Sequence, residues 1–459
     1  MKYISTRGHK DKLDFEQMMF ATLAPDGGLY MPEHFPDFSA DLERLAKLSY
    51  QELTSEILRV FIGDKINVTD LDEIIRKSYS SFRHPEIVFN QDFKDFQLLE
   101  LFHGPTWAFK DLALQLLAGL LDHFADKTNK KLLILGSTSG DTGAAALAAF
   151  AGKKNIKIII LHPHQKISEV QLKQMTSYQD HNIANIALKG SFDDAQLIIK
   201  TIFSDTKKFK QHDLVAINSI NLVRIIAQTV YYFYSYFNSS KKINYFCVPT
   251  GNFGNALAGL FAKKMGLPIK KLVVATNQNN VLEKCLNEGI YRSTDVLASI
   301  SPSMDIQIAN NFERYLFLLT NKNTSLINDY YQTLDPRKGY QLPDDLIANI
   351  ADDFLAGHAS EKETKQTIKE HYQKYGYVLD PHSAVAVNVA KKKISGLNEA
   401  FISVASAHPS KFFDTIEEVL GFKYNLPTEI KELLAKEPKV NIIENNLDLV
   451  IKFINDFTK

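Results

Sequence analysis

The feature that most constrains this chain is a strand–loop–helix–strand rhythm that occurs twice. Residues 131–135 are a short apolar run, 136–140 a glycine-bounded loop, 141–151 an alanine-rich segment and 156–161 a second apolar run. The same order returns as strand 243–248, loop 249–255, helix 256–265 and strand 272–275. A helix that carries the chain from one strand to its neighbour makes the two strands parallel, so each unit demands a parallel sheet. Two units with separate glycine loops predict two open α/β layers with a cleft between them. Ligands of open parallel sheets bind at the carboxyl ends of the strands, where both loops lie.

The rest of the chain fits around this pair. Residues 1–95 read as a mostly helical region. Ser49 and Glu52 form a capping box ahead of Leu53, Ile57, Val60 and Phe61 at helical spacing. Thr69 and Asp72 repeat that signal before Ile74 and Ile75. The expected division is 1–95 helical, 96–240 and 241–430 as the two α/β domains, and 431–459 as a helical C-terminal extension.

Charge and cysteine usage narrow the function. Lys+Arg and Asp+Glu number 53 each, a formal net charge of zero. That balance gives no electrostatic reason to expect nucleic acid or an anionic membrane as partner. Cys247 and Cys285 are far apart and form neither a CxxC pair nor a zinc spacing. No metal is expected, and a reducing cytoplasm is the default. The first seven residues lack the apolar core of a signal peptide, and runs such as 158–161 are strand length.

Four segments carry chemistry. In HGPTWAFKD (103–111), Lys110 follows an apolar stretch and opens a helix with Leu112, Leu116, Leu117, Leu120 and Leu121 on one face. Desolvation there would favour the uncharged amine that a Schiff base needs; a surface lysine at a helix start reads the same by spacing alone. In PTGNFGN (249–255), two glycines before a helix offer backbone N–H groups to a phosphate without a basic residue; a tight strand-to-helix turn is the other reading. The loop STSGDTG (137–143) places hydroxyls and N–H groups at a helix mouth, suiting a carboxylate or phosphate oxygen or serving only as a cap. In NSIN (218–221), Arg224 and Gln228 follow at helical spacing, and Arg224 offers a planar fork for an oxyanion or is a solvated helix residue. Lys166 and Ser168 form a weaker anion-binding candidate.

In this order, these segments resemble threonine synthases, members of the fold type II pyridoxal-phosphate enzymes related to the tryptophan synthase β-subunit. The resemblance extends over nearly the whole chain, through residues 3–8, 26–32, 61–64, 275–277, 380–385 and 406–412. It implies two parallel-sheet domains with pyridoxal 5'-phosphate in the cleft and Lys110 carrying the cofactor as a Schiff base. Gly251, Asn252, Phe253, Gly254 and Asn255 would cradle its phosphate, Ser406 would face the pyridine nitrogen, and Asp141 would lie near the phenolic oxygen. Ser139 and Thr142 would bind substrate, with Asn218, Ser219 and Arg224 at its phosphate; Lys166, the weaker anion-binding candidate above, is a further expected substrate ligand. Ser406 stands where many relatives have Thr, Trp107 where a smaller apolar residue is common, and Asn255 where some have Asp. His103 and His408 are expected to be structural.

The activity so implied is conversion of O-phospho-L-homoserine and water to L-threonine and phosphate, by γ-elimination and then β-addition of water, in a monomer or homodimer. A phospholyase releasing a 2-oxo acid, ammonia and phosphate is the nearest alternative. A dehydratase or sulfhydrylase of the same fold fits the lysine context less well, and a cofactor-binding regulatory protein would not need the intact lysine and Arg224.

Overall fold

The computed structural model describes residues 1–459 apart from 22, 139, 166, 168, 205–208, 210, 211, 333–338 and 398. Two parallel sheets organise it. The larger runs in the order Phe354–His358, Lys271–Thr276, Ile243–Pro249, Ala400–Ala405, Gln97–Glu100, Phe89–Asp92. Only its last pair is antiparallel. The smaller is parallel throughout, in the order Asn441–Glu444, Ile183–Lys189, Ile156–Pro163, Leu132–Ser137, Asp213–Ala216.

Both faces of the smaller sheet are covered, which is why its strands are continuous apolar runs and not alternating ones. Leu133, Leu135, Ile159 and Leu161 meet Ile198 and Ile202 of the helix Phe192–Ser204 and Val450 and Ile454 of the helix Leu447–Thr458. Their neighbours Leu132, Ile134, Ile158 and Ile160 pack on the opposite side with Ala144 and Leu147. Each aliphatic side chain so buried contributes about 1.5–3 kcal/mol.

In the N-terminal region, the capping box forms at Ser49 and Glu52 and opens the helix Tyr50–Ile62. The next helix, Val68–Tyr79, begins before the expected Thr69. Asn67 has the extended backbone that a cap needs, and its side chain accepts the Asp70 N–H. Asp72 instead accepts the Ser55 hydroxyl at 2.6 Å, joining the two helices. A short antiparallel pair, Tyr3–Ser5 with Tyr30–Pro32, accompanies them.

Two features differ from the sequence expectation. The strand Gln97–Glu100 pairs with Ala400–Ala405, so sheet membership does not follow the expected division at residue 96. Chain order does not decide which sheet a strand joins. Residues 431–459 are not only helical, because Asn441–Glu444 adds a parallel edge strand to Ile183–Lys189. That strand is four residues long and Ile442 on it is half exposed, so its apolar pattern is faint. Among the described residues, no helix is long and apolar enough to cross a membrane.

Candidate active site

The cleft is built from loops at the carboxyl ends of strands in both sheets. After the strand Ile243–Pro249 the chain turns into the helix Gly254–Lys264 through Phe253, which has a positive φ of 63°. A bulky residue adopts that conformation only when its surroundings impose it. Here the Phe253 ring is fully buried against Phe312, Tyr315 and Phe354. Among the described residues, the backbone N–H groups of Gly251 to Asn255 find no protein acceptor. Asn255 accepts the hydroxyls of Tyr231 and Tyr232, both at 2.7 Å, and its Nδ2 donor has no partner. A row of free donors at a helix N-terminus is a phosphate cradle.

Gly251 is required for this turn to close. A Cβ there would lie 2.5 Å from the Ser303 carbonyl oxygen, which is backbone and cannot swing away. Gly251→Ala is expected to displace the loop at a cost of about 1–3 kcal/mol. Titrated with pyridoxal phosphate, this variant should bind roughly 10- to 100-fold more weakly.

Lys110 arrives from the other side. It is the first residue of the helix Lys110–Lys127, held by the turn that precedes it. Asp111 closes that turn by accepting the Thr106 N–H at 2.8 Å and hydroxyl at 2.7 Å, and burial pushes its carboxyl up to about 6 despite those bonds. The Phe109 N–H donates to the Ser406 carbonyl at 2.8 Å, which sets Ser406 beside the lysine. Lys110 Nζ is 3.5 Å from Asp141 Oδ2. Burial pushes the amine's pKa below the ordinary lysine value; Asp141 opposes this, while Lys411 and Arg224 add to it. Asp141 also accepts from Lys411 at 2.9 Å, Gln171 at 3.0 Å and Ser303 at 3.2 Å. Burial works against its charge, but Lys411 and Lys110 outweigh that and hold it well below the usual carboxylate range.

Arg224, on the helix Leu222–Phe237, completes the charge pattern. It is only 4% exposed, and its Nε and Nη1 have no hydrogen-bond partner among the described residues. Burial lowers its pKa to about 10, so it remains charged near neutrality. An unpaired buried guanidinium is costly, and an anionic ligand removes that cost. Lys110 thus faces one carboxylate, Asp141, and two further cations, Lys411 and Arg224, a local cationic excess in a chain whose formal net charge is zero.

One cavity between the two sheets' loops brings these groups together. Lys110, Thr142, Ser219, Arg224, Ser406 and the loop Gly251, Asn252, Phe253, Gly254 and Asn255 all line it. Asp141 reaches it through Lys110 and Ser303. Asn218 does not join them: it is exposed, and its Oδ1 accepts the Ile220 N–H, shaping the turn before the helix. Ser139, Lys166 and Ser168 lie outside the described residues.

His103, His408 and Trp107 are not part of the lining of this cavity. His103 pairs with Glu100 at 2.9 Å. Burial, then His103, Arg83 and Lys411, lower His408 to about 3. Trp107 is held between Arg83, 4.0 Å from its ring, and His408 at 4.6 Å.

Ser303, Met304 and His382 also line the cavity and were not singled out by sequence reasoning. Ser303 and Met304 belong to a short 3-10 turn with no periodic pattern, and Pro302 at its start is the only local signal. His382 lies within the 380–385 segment but gave no hint of its orientation, fixed by Asp380 at 2.9 Å. Lys411, also within a quoted motif, is fully buried where a lysine needs partners.

A buried amine, a cradle of free N–H donors and a neutral hydroxyl on one cavity fit pyridoxal phosphate, whose aldehyde, phosphate and ring nitrogen need those groups. Fold and site together define a fold type II pyridoxal-phosphate-dependent enzyme, and residues 96–333 match the pyridoxal-phosphate dependent enzyme family. Residues 2–79 match the threonine synthase N terminus and 383–454 the threonine synthase C-terminal region. The chain is 40% identical to threonine synthase of Saccharomyces cerevisiae, over 99% of its own length and 97% of the relative's. Against threonine synthase of Pseudomonas aeruginosa it is 39% identical, over 99% and 98%. The crystal structure of pyridoxal-phosphate-bound threonine synthase from Brucella melitensis superposes with a TM-score of 0.96 at 39% identity, covering all of both chains. The chain belongs to the threonine synthase family, and it is a pyridoxal-phosphate-dependent lyase.

Proposed function

We propose that this cleft converts O-phospho-L-homoserine and water to L-threonine and phosphate. The observation that carries this reading is Arg224, a buried unpaired cation on the wall of a cavity that already holds a separate amide cradle for the cofactor's phosphate. A substrate that brings a second phosphate accounts for both anion sites.

When bound, pyridoxal phosphate supplies an electrophilic carbon for the substrate amine and a ring that takes up the charge released at Cα and Cβ. Gly251 to Asn255 hold its phosphate through main-chain N–H groups, and Ser406 offers its hydroxyl to the ring nitrogen. Lys110 is the base: its buried amine is placed to take the Cα proton and to return it at the end. Asp141 fixes the direction of that amine. Arg224, with Ser219 beside it, takes the charge of the phosphate as its bond to Cγ breaks. Thr142, at the helix mouth, orients the substrate's carboxylate. Two buried free cysteines suit a reducing cytoplasm.

The test is to incubate the holoenzyme with O-phospho-L-homoserine and follow products. Threonine and phosphate in equal amounts are expected. Phosphate with ammonia and a 2-oxo acid would establish the phospholyase instead, and no phosphate at all would remove both.

A further inference from the structure

Lys411 holds a position that the chemistry above leaves unexplained. Its ammonium is fully buried and reaches three acceptors: Asp141 Oδ1 at 2.9 Å, the Thr106 carbonyl at 2.8 Å and Gln174 Oε1 at 2.8 Å. Thr106 belongs to the turn that presents Lys110, and Gln174 Nε2 donates back to the same carbonyl at 3.0 Å. Asp141 divides its oxygens between two lysines. Oδ1 goes to Lys411 and Gln171, whereas Oδ2 meets Ser303 at 3.2 Å and Lys110 only at 3.5 Å.

We propose that Lys411 is a positioning residue: by binding Asp141 more closely than Lys110 does, it lets that carboxylate aim the cofactor amine without trapping it in a tight ion pair. The inference rests on Lys110 being the amine that bonds the cofactor. The acceptors it satisfies lie on three separate segments, so the one ammonium ties the lysine turn to the two helices flanking the cleft. Without it, Asp141 has Lys110 as its only ion-pair partner, and Lys110 holds its proton more firmly. The charges facing Lys110 are Asp141, Lys411 and Arg224; Lys411 also faces Asp111 and the imidazole of His408, which burial keeps neutral. Of these, only Asp141 touches both lysines.

Two variants of the full chain test this, each stripped of cofactor. Lys411→Met removes the ammonium at similar length. Gln174→Glu keeps Lys411 but sets a carboxylate against it, weakening its hold on Asp141. Competitive trace acetylation across a pH series, read from the mass of the Lys110 peptide, reports when that amine loses its proton. The midpoint is expected to move up by about one pH unit in Lys411→Met, a tenfold loss of Lys110 reactivity below it, and in the same direction for Gln174→Glu. The pH profile of pyridoxal-phosphate loading should move with it. If Lys411→Met yields no folded protein, Gln174→Glu decides alone. A lowered melting temperature with an unmoved Lys110 midpoint would mean a purely structural role and overturn the proposal. The underlying assignment is read separately in the unaltered chain: cofactor that fails to protect Lys110 from acetylation removes Lys110 itself, whatever the variants do.

Discussion

Lys110→Ala is expected to lose at least about 10⁴-fold in turnover of O-phospho-L-homoserine, and with it the visible absorption of lysine-bound cofactor. The size of the effect follows from what the amine does twice. In the proposed reaction it both bonds the cofactor's aldehyde carbon and serves as the base, and burial pushes its pKa below the ordinary lysine value. The neighbouring groups cannot replace it. Asp141 is pinned as a carboxylate by two lysines, Arg224 stays charged to about pH 10, and His408 lies behind Trp107. Lys411 is close, but its ammonium is committed to three acceptors. The alanine chain should still bind pyridoxal phosphate weakly through the Gly251–Asn255 loop, because those main-chain donors do not depend on the lysine. Spectrophotometry on the purified variant checks both points, and persistence of a borohydride-reducible imine would contradict them.

Arg224→Met carries the second large effect. A fully buried hydrogen-bonded charge contributes about 2–5 kcal/mol to holding its partner, so kcat/KM should fall about 30- to 5000-fold. Cofactor content should not change, since the cradle for that phosphate is made of backbone N–H groups on another element. The melting temperature of the ligand-free protein should hold or rise. The intact side chain buries a guanidinium with two unpartnered nitrogens, and a thioether of similar length relieves that cost. Loss of turnover together with equal or greater stability marks a residue kept for ligand and not for folding. Near-normal kcat/KM in this variant would remove Arg224 from the substrate site.

Much of the site was legible in the sequence, because its chemistry is carried by short segments at strand ends. The loop 249–255 stands out by two glycines between an apolar run and a helix, and Lys110 by its place at the head of a leucine-faced helix, but each also allowed a purely structural reading, and it was the resemblance to threonine synthases that implied their roles. Arg224 followed from helical spacing after an Asn cap. What could not be read depends on contacts between distant segments. Nothing local says that Ser303 will reach across to Asp141, 162 positions away. Lys411 is 270 positions from Asp141 (411 minus 141), and only the fold shows that its ammonium is buried. The resemblance implies Asn218 as a phosphate ligand, but an Asn that accepts the N–H two residues on is shaping a turn.

The architecture divides the same way. Alternating strand and helix runs gave two parallel sheets, since a helix between strands leaves little choice. The pairing of Gln97–Glu100 with Ala400–Ala405 joins residues some three hundred positions apart and has no local signature. The edge strand Asn441–Glu444 escaped notice for a related reason: it needs only one apolar face and is short.

Everything in the proposed reaction depends on one covalent contact, and peptide mapping of the borohydride-reduced holoenzyme tests it most directly. Reduction should fix the pyridoxyl group in place, and digestion should yield a single labelled peptide with the label on Lys110. A label on Lys411 or on any other lysine, or none in protein that holds the cofactor, would contradict it.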